Sequence, residues 1–438
     1  GRYKKHKILM TGPRYGPHTL IERVKKIYNF YLIQIISYKP DSIMLGVSKD
    51  ILSVIIIVLL GVVTRNERIK MRLVGFIERL LSRHNQPKSL VDKHYTRNEK
   101  ILYQSFCKLY KYQYKAMQLN NMYRQRAISE LSNKEKTLLL KIGYFEKFDT
   151  IDNIAIFENQ TSLTKLISSE INFNSQLDIE EIKNDNYYVA PLSSITESLN
   201  HLVRDYNTEY FQNEVKPLVE YISKQIDSVS PSVEADVIVP GSGAGRIAYE
   251  ISQKTTKSKV YSIEMNSLMY ALNSAVFKSA DVLKISPYVL DFSNHLSLEN
   301  QTKSFEIVTN DFQKPENLEL ICDNFLKFVP VNKNNDRDVI VVTAFFMDTA
   351  ENILEYMEKI ESLKKYYRNI HWINIGPLKY GTRPKVVLTS EEWTQIRKNR
   401  GWSDLHADCN TKEEIEYLTN TNGLYKGRYS LLKFHTVY

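Results

Sequence analysis

Cysteine is scarce in this chain of 438 residues: Cys107, Cys322 and Cys409 lie far apart, odd in number and in no C-x-x-C spacing. That argues against a thiolate zinc site and a disulfide framework, leaves no metal motif, and suits a reducing compartment, cytoplasmic or nuclear. Long apolar runs are also missing. The most apolar stretch, Ile51 to Val63, stops at Thr64-Arg-Asn-Glu-Arg68, short of the roughly twenty residues that cross a bilayer. It reads as a buried helix or an atypical extension. Its continuation to residue 82 sets Arg65, Arg68, Lys70, Arg72 and Arg79 among apolar side chains, a pattern that could lie on a membrane or cover a protein surface. No clear secretory signal is present, so the N-x-T tripeptides at Asn159 and Asn300 read as chance. No internal repeat is visible. A hydrophobic content of 43%, with 11% aromatic residues, excludes disorder as the main state and provides for two or three domains.

What is present divides the chain in three. Residues 1–94 form a basic and apolar extension in which Arg2, Lys4, Lys5, Lys7, Arg14, Arg23, Lys25 and Lys26 face only Glu22, early in a chain of net charge +9. Such an arm is a solvated tail or a docking surface for nucleic acid or an anionic membrane. The chain starts at Gly1 with no initiator methionine, which is expected of a processing product, a fragment or an uncertain gene start. Residues 95–230 read as helical. Leu102, Phe106, Leu109, Tyr110 and Tyr114 recur at steps of three and four, and Ile128, Leu131, Leu138 and Leu139 extend the apolar pattern. The polar stretch Asn172–Asn186 is expected to be a loop. In the helix beyond it, His201 and Arg204 share one face, where they are either surface polarity or a donor pair for an anionic group.

From residue 231 onward strands alternate with helices, the signature of a doubly wound α/β sheet. An apolar strand from Asp236 runs into Gly241-Ser-Gly-Ala-Gly245 and then a helix. Alternate glycines allow a sharp turn and close approach of a ligand to a helix N-terminus. The spacing G-x-G-x-G departs from the dinucleotide fingerprint, since Arg246 stands where a further glycine is needed. A loop one residue tighter suits S-adenosylmethionine, and Gly241 and Gly243 are its candidate contacts. A second strand, Lys259–Glu264, ends in a carboxylate placed to accept two vicinal ribose hydroxyls, if it is not simply a solvated loop acid. Phe305–Thr309 is expected to be a third strand, followed by Asp311 and Phe312, which either serve an adenine ring or form an ordinary turn. Leu318, Ile321, Phe325 and Phe328 recur at helical steps and predict a covering helix.

Asp338–Phe346 is a β-branched buried strand. Asp348 just beyond it is either a substrate carboxylate in the crevice beside the glycine loop or the N-cap of the next helix. His371 opens a strand that reaches a Gly376-Pro-Leu turn, and the chain closes on a strand ending at Val437.

Four blocks together resemble the carnosine N-methyltransferase family: L-V-R-D-Y at 202–206, V-P-G-S-G-A-G-R-I-A at 239–248, T-A-F-F-M-D-T-A-E-N-I at 343–353 and W-I-N-I-G-P-L-K-Y at 372–380. Phe292-Ser-Asn294 and Asn310-Asp-Phe312 are shorter matches between them. The resemblance runs from about Tyr187 to the C-terminus and more loosely over 97–148, and nothing in it corresponds to residues 1–94. It implies a Rossmann-like class I methyltransferase sheet behind an all-helical N-terminal region. It also implies methyl transfer from S-adenosylmethionine to an imidazole nitrogen of carnosine, giving anserine. The cofactor contacts it carries over are His201, Arg204, Gly241, Glu264, Asp311, Phe312 and Ala344. For the substrate it carries over Asp348, which would accept the imidazole N–H, with Tyr380 and Tyr429. Four places depart from the family pattern: His201 replaces a glutamine, Ala344 a cysteine, Gly381 a histidine, and Gly427-Arg428 the first two of three tyrosines.

The expected partner is thus a small histidine dipeptide, with a homodimer left open. The alternative keeps the methyl donor and changes the acceptor to a protein histidine or an RNA. No aromatic-basic interleaving around the pocket favours nucleic acid.

Overall fold

The computed structural model describes residues 94–438, apart from 175, 230–233, 332, 334 and 335. The extension expected over residues 1–94, including its 51–82 stretch and any membrane contact there, lies outside the described residues except for His94. Among the described residues no helix is long and apolar enough to cross a membrane.

The strands among the described residues, numbered in chain order, are β1 Ala235–Pro240, β2 Val260–Glu264, β3 Val282–Ile285, β4 Phe305–Val308, β5 Leu318–Cys322, β6 Asp338–Ala344, β7 Ile370–Gly376, β8 Ser403–Asp408, β9 Ile415–Glu416, β10 Arg428–Tyr429 and β11 Leu432–Val437. Seven of them form the main sheet in the order β5-β2-β1-β6-β7-β11-β8. The five from β5 to β7 are mutually parallel, and β11 and β8 close the far edge antiparallel. This is the Rossmann-like sheet that the resemblance implies. Every residue of β1 is buried, as are the first six of β6, because helices cover both faces. Such strands read as continuous apolar runs and not as alternating ones. The chain steps outward from β1 to β2 and then returns to β6 on the other side of β1. The crevice at their C-terminal ends is therefore the point where the sheet's order reverses and where open α/β sheets bind ligands.

The helical part opens at Arg97–Tyr110, whose start is fixed by a reciprocal pair: Thr96 accepts from the Glu99 N–H, and Glu99 accepts from the Thr96 N–H. Its face of Leu102, Tyr103, Phe106 and Leu109 is buried in one core with Leu163, Leu166 and Leu202 from later helices and with Leu272 and Ile285 from the sheet-bearing part. Helices and sheet thus share a hydrophobic interior.

Four expectations change. Leu318–Cys322 is not a covering helix but the edge strand β5, paired parallel to β2, and only the short 3-10 turn Phe325–Lys327 comes after it. Phe305–Val308 is a strand, as expected, yet it pairs antiparallel with β3 in a separate two-stranded ribbon and not in the main sheet. Its Phe305 and Ile307 point inward and Glu306 outward, the alternation of a strand with one face in water. The polar stretch 172–186 contains a helix, Ile179–Asn184, started by the Asp178 carboxylate on the N–H groups of Glu180 and Glu181. Ile128 and Leu138 belong to helices, but both are exposed, as is Tyr114, so they extend the helical pattern without joining the core.

Candidate active site

The chain leaves β1 through Gly241, Gly243 and Gly245, with φ of 61°, 59° and 94°. This left-handed backbone strains any residue with a Cβ. At two of the three positions a side chain also has no room. A Cβ on Gly241 would overlap Cδ2 of Phe346 and lie 2.9 Å from its Cε2, and one on Gly245 would overlap the Asn273 side chain. The first of these approaches brings the end of β1 against the segment leaving β6, which closes the base of the crevice. Gly245 leads into the helix Arg246–Lys254.

Glu264 ends β2 beside this loop. Its Oε2 accepts from the Gly243 N–H at 2.7 Å and its Oε1 from the Asn266 N–H at 2.7 Å. Burial raises its pKa, and these backbone donors work against the rise. The pair of bonds fixes the carboxylate plane at the strand end.

His201 and Arg204 lie on the helix Leu192–Tyr206; the structure brings His201 to the glycine loop and sets Arg204 against Phe345 and Tyr417. The His201 Nδ1 is 3.8 Å from where a Gly243 Cβ would stand. Burial, with Arg204 nearby, pushes the His201 pKa down to about 4, so the ring is neutral at physiological pH and offers one donor and one acceptor. Arg204 is only 6% exposed, and its guanidinium lies 4.8 Å from the centre of the Tyr417 ring and 5.4 Å from that of Phe345. Its Nη2 donates to the Glu214 backbone oxygen at 3.3 Å, while its buried Nε has no hydrogen-bond partner.

Asp311 is exposed on the turn after β4, and its charge adds to the burial and the Glu250 charge that raise the pKa of Tyr249. Phe312 beside it packs edge-on to Tyr206 and Tyr249 and under the Arg246 guanidinium. Ala344 ends β6 opposite Ile375 of β7 and carries no polar atom beyond its backbone. The next residue, Phe345, is strained at φ 53° and donates its N–H to the Ile375 oxygen at 3.0 Å. That bend turns its ring onto Tyr417 in a parallel stack, with 4.7 Å between centres.

Asp348 comes next, on a single 3-10 turn, Met347–Thr349, and is 6% exposed. It does not cap the next helix, because Asn352 does so through the Leu354 N–H. Its Oδ2 accepts from the Lys379 N–H at 2.9 Å, which fixes it against the Gly376-Pro-Leu turn. Burial raises its pKa, and the Lys379 bond and charge oppose the rise. The Asp348 charge also contributes to raising the pKa values of Tyr380 and Tyr417.

The two expected tyrosines differ. Tyr429 meets Phe345 and Tyr417 edge-on at 6.2 and 6.1 Å, and the Lys379 amine lies 6.0 Å over its ring. Tyr380 donates to the Leu388 oxygen at 2.8 Å and accepts from the Leu388 N–H at 2.9 Å, so its hydroxyl pins the 380–388 turn.

Tyr417 has no signal in the sequence. It stands in a polar stretch, and the β9–β10 pairing, Ile415 opposite Tyr429, helps bring it to the site. With Phe345 and Tyr429 it makes a packed three-ring cluster against the Arg204 guanidinium. A cavity of about 120 Å³ adjoins the cluster on the Tyr417 side, lined by Tyr417, Gly427, Asp291, Asn294 and His295 among others.

The sequence profile of the carnosine N-methyltransferase family matches residues 182–438. An uncharacterised protein of Saccharomyces cerevisiae is 30% identical over 456 aligned residues, covering 90% of this chain and 99% of that one. A carnosine N-methyltransferase of Schizosaccharomyces pombe is 27% identical over 311 residues, covering 64% of this chain and 82% of its own. Among solved structures, an S-adenosylmethionine-dependent methyltransferase from Aquifex aeolicus aligns with a TM-score of 0.31 and 15% identity over 52% of this chain and 94% of its own.

Proposed function

Since the chain belongs to the carnosine N-methyltransferase family, we propose that it transfers the methyl group of S-adenosylmethionine to an imidazole nitrogen of a histidine dipeptide, giving anserine when that dipeptide is carnosine. The observation that carries this reading is the presence, at the sheet's reversal point, of a buried carboxylate, Asp348, and an aromatic cluster around Phe345, three residues before it in the segment leaving β6, beside a glycine loop.

The residues present suit the methyl donor. Arg204 is a buried cation whose Nε makes no hydrogen bond and has the Glu214 carboxylate near it, at 3.5 Å, so a ligand carboxylate suits it. The glycines leave the backbone bare, and Glu264 offers a charged acceptor for ribose hydroxyls. When bound, the donor supplies an electrophilic methyl on a sulfonium. The chain's own residues do the rest.

A neutral imidazole is already a nucleophile, so positioning and exclusion of water dominate the task. The partly exposed Phe345 and Tyr429 rings at the edge of this cluster offer an apolar wall for a flat heterocycle, and Asp348 accepts the N–H of the nitrogen that does not react. This selects one tautomer and leaves the other nitrogen's lone pair free to form the new N–C bond. As that bond forms the ring becomes cationic, and Asp348 takes the N–H proton. Its raised pKa makes it a better acceptor than an exposed aspartate. Lys379 over Tyr429 offers a cation for the peptide carboxylate, and the cavity behind Tyr417 has room for the β-alanyl end.

The test is incubation of the purified chain with carnosine and labelled donor, read by mass spectrometry. N-methylated dipeptide is expected. Donor binding by calorimetry with no methylated product sinks carnosine as the acceptor.

Gly381 stands where the family has a histidine, and a Cβ there would meet no atom within 4 Å on a backbone that is not left-handed. Gly381→His is therefore expected to fit and to lower the KM for carnosine about fivefold, the worth of one added hydrogen bond. An unchanged KM in a folded variant means that the dipeptide does not pass this position.

A further inference from the structure

The geometry points to Glu214 as a positioning residue that links occupancy of the methyl-donor side to the order of the substrate loop. The inference rests on the methyl-donor role of Arg204 proposed above and deepens that reading.

Glu214 is 1% exposed and lies in a turn, Phe211–Val215, widened to π-helical geometry. Such single-turn widenings recur at functional sites because they push one residue out of the helical register. The carboxylate is shared in two directions. Toward the cofactor side, its Oε1 is 3.5 Å from the Arg204 Nε. Toward the substrate side, Oε1 accepts from the Leu418 N–H, and Oε2 accepts from the Thr419 N–H at 3.2 Å.

The loop needs this anchor. Leu418 sits at φ 49°, a strained conformation for leucine that surrounding bonds must maintain. The Thr419 oxygen accepts from the Tyr210 hydroxyl at 3.0 Å, and the Thr419 hydroxyl donates to the Gly427 oxygen at 2.6 Å. The same few residues therefore hold Tyr417 on one side and the strand of Tyr429 on the other. Burial raises the Glu214 pKa, and Arg204 with the two loop N–H groups opposes the rise.

A donor carboxylate at Arg204 competes with Glu214 for the guanidinium. Glu214 then belongs wholly to the Leu418 and Thr419 N–H groups, the loop tightens, and Tyr417 is held in place on the acceptor side. By linkage, a bound dipeptide must strengthen donor binding by the same factor.

Glu214→Gln separates this from a merely structural role, since it removes the charge and one acceptor without changing the shape. The affinity for S-adenosylhomocysteine, by calorimetry, should hold or tighten, because no carboxylate competes for Arg204. The KM for carnosine should rise about tenfold, within the usual range of couplings between sites. A raised carnosine KM with donor affinity held or tightened supports the proposal, and weakening of both, or an unchanged KM, overturns it.

If Glu214→Gln does not fold, Leu418→Gly carries the test: it relieves the strain and frees the loop, and it should raise the carnosine KM with donor affinity unchanged. Amide exchange makes the outcome independent of the acceptor's identity. S-adenosylhomocysteine should slow exchange at Leu418 and Thr419 in the wild-type chain and fail to do so in Glu214→Gln. Absence of that protection in the wild type overturns the link even if carnosine is methylated. Its presence sustains the link even if carnosine is not the acceptor.

Discussion

Replacing Asp348 with asparagine is expected to lower kcat for the dipeptide by about a thousandfold while leaving donor affinity unchanged. Asparagine keeps the volume of a buried side chain on a tight turn and can still accept the Lys379 N–H. It cannot take a proton, and its amide can present a donor to the imidazole N–H, so both the tautomer and the fate of the proton are lost. The same substitution has an opposite effect on stability. Burial raises the Asp348 pKa in the folded chain, so the folded state binds the proton more tightly than the unfolded one. The favourable contribution of this group is fully present below the unfolded pKa of about 3.9 and is lost as pH rises through the folded value. At neutral pH the ionised carboxylate is thus a cost, which asparagine removes. Asp348→Asn should melt higher than the parent at pH 7, with the difference shrinking toward pH 4. A variant that keeps a tenth of the parent kcat, with donor affinity intact, refutes the proton-accepting role. A lower melting temperature at pH 7 refutes the account of burial.

The parts of this site that were legible in the sequence are those made by short, contiguous signals. The glycine loop needs left-handed backbone within five residues, and Glu264 stands at the end of the next strand, so local pattern suffices for both. The unbroken apolar run Val339–Val342 of β6 likewise showed itself as a strand covered on both faces. Edge elements were harder. In β5, Leu318 and Cys322 are buried and the three residues between them only partly so, and over five residues that spacing matches a helix as well as a strand. The β3–β4 ribbon shows clean alternation, which identifies strands but not the sheet they join. Tyr417 was illegible for a different reason. Its place is set by contacts with residues far away in sequence: Phe345 in the ring stack, and Glu214 through the neighbouring Leu418 N–H. No periodicity encodes such pairings. The position of Tyr380 was apparent, but the commitment of its hydroxyl to Leu388 depends on a turn that the sequence does not specify.

Gly241→Val is expected to weaken S-adenosylhomocysteine binding by more than a hundredfold and to abolish turnover. Two costs add at this position. A β-branched residue at φ 61° is strained by about 1–2 kcal/mol. Its side chain must also displace Phe346, an overpacking that costs about 1–3 kcal/mol more. Phe346 has little freedom to retreat: it is stacked on Tyr356 with 4.6 Å between centres and lies edge-on to Phe325 at 6.0 Å. The strain is therefore passed along the chain to Met347 and Asp348, so a change in the cofactor loop should reach the acceptor side as well. Gly243→Ala provides the contrast. Its φ of 59° carries a similar backbone strain, but the nearest atom to its Cβ is the His201 Nδ1 at 3.8 Å, so no aromatic ring is displaced. Calorimetry should rank the two variants with Gly241→Val far weaker, and circular dichroism should show the helices retained in both. Equal losses would place the whole effect in the backbone and leave Phe346 with no part in it. Donor affinity in Gly241→Val within threefold of the parent would mean that the methyl donor does not lie against this turn.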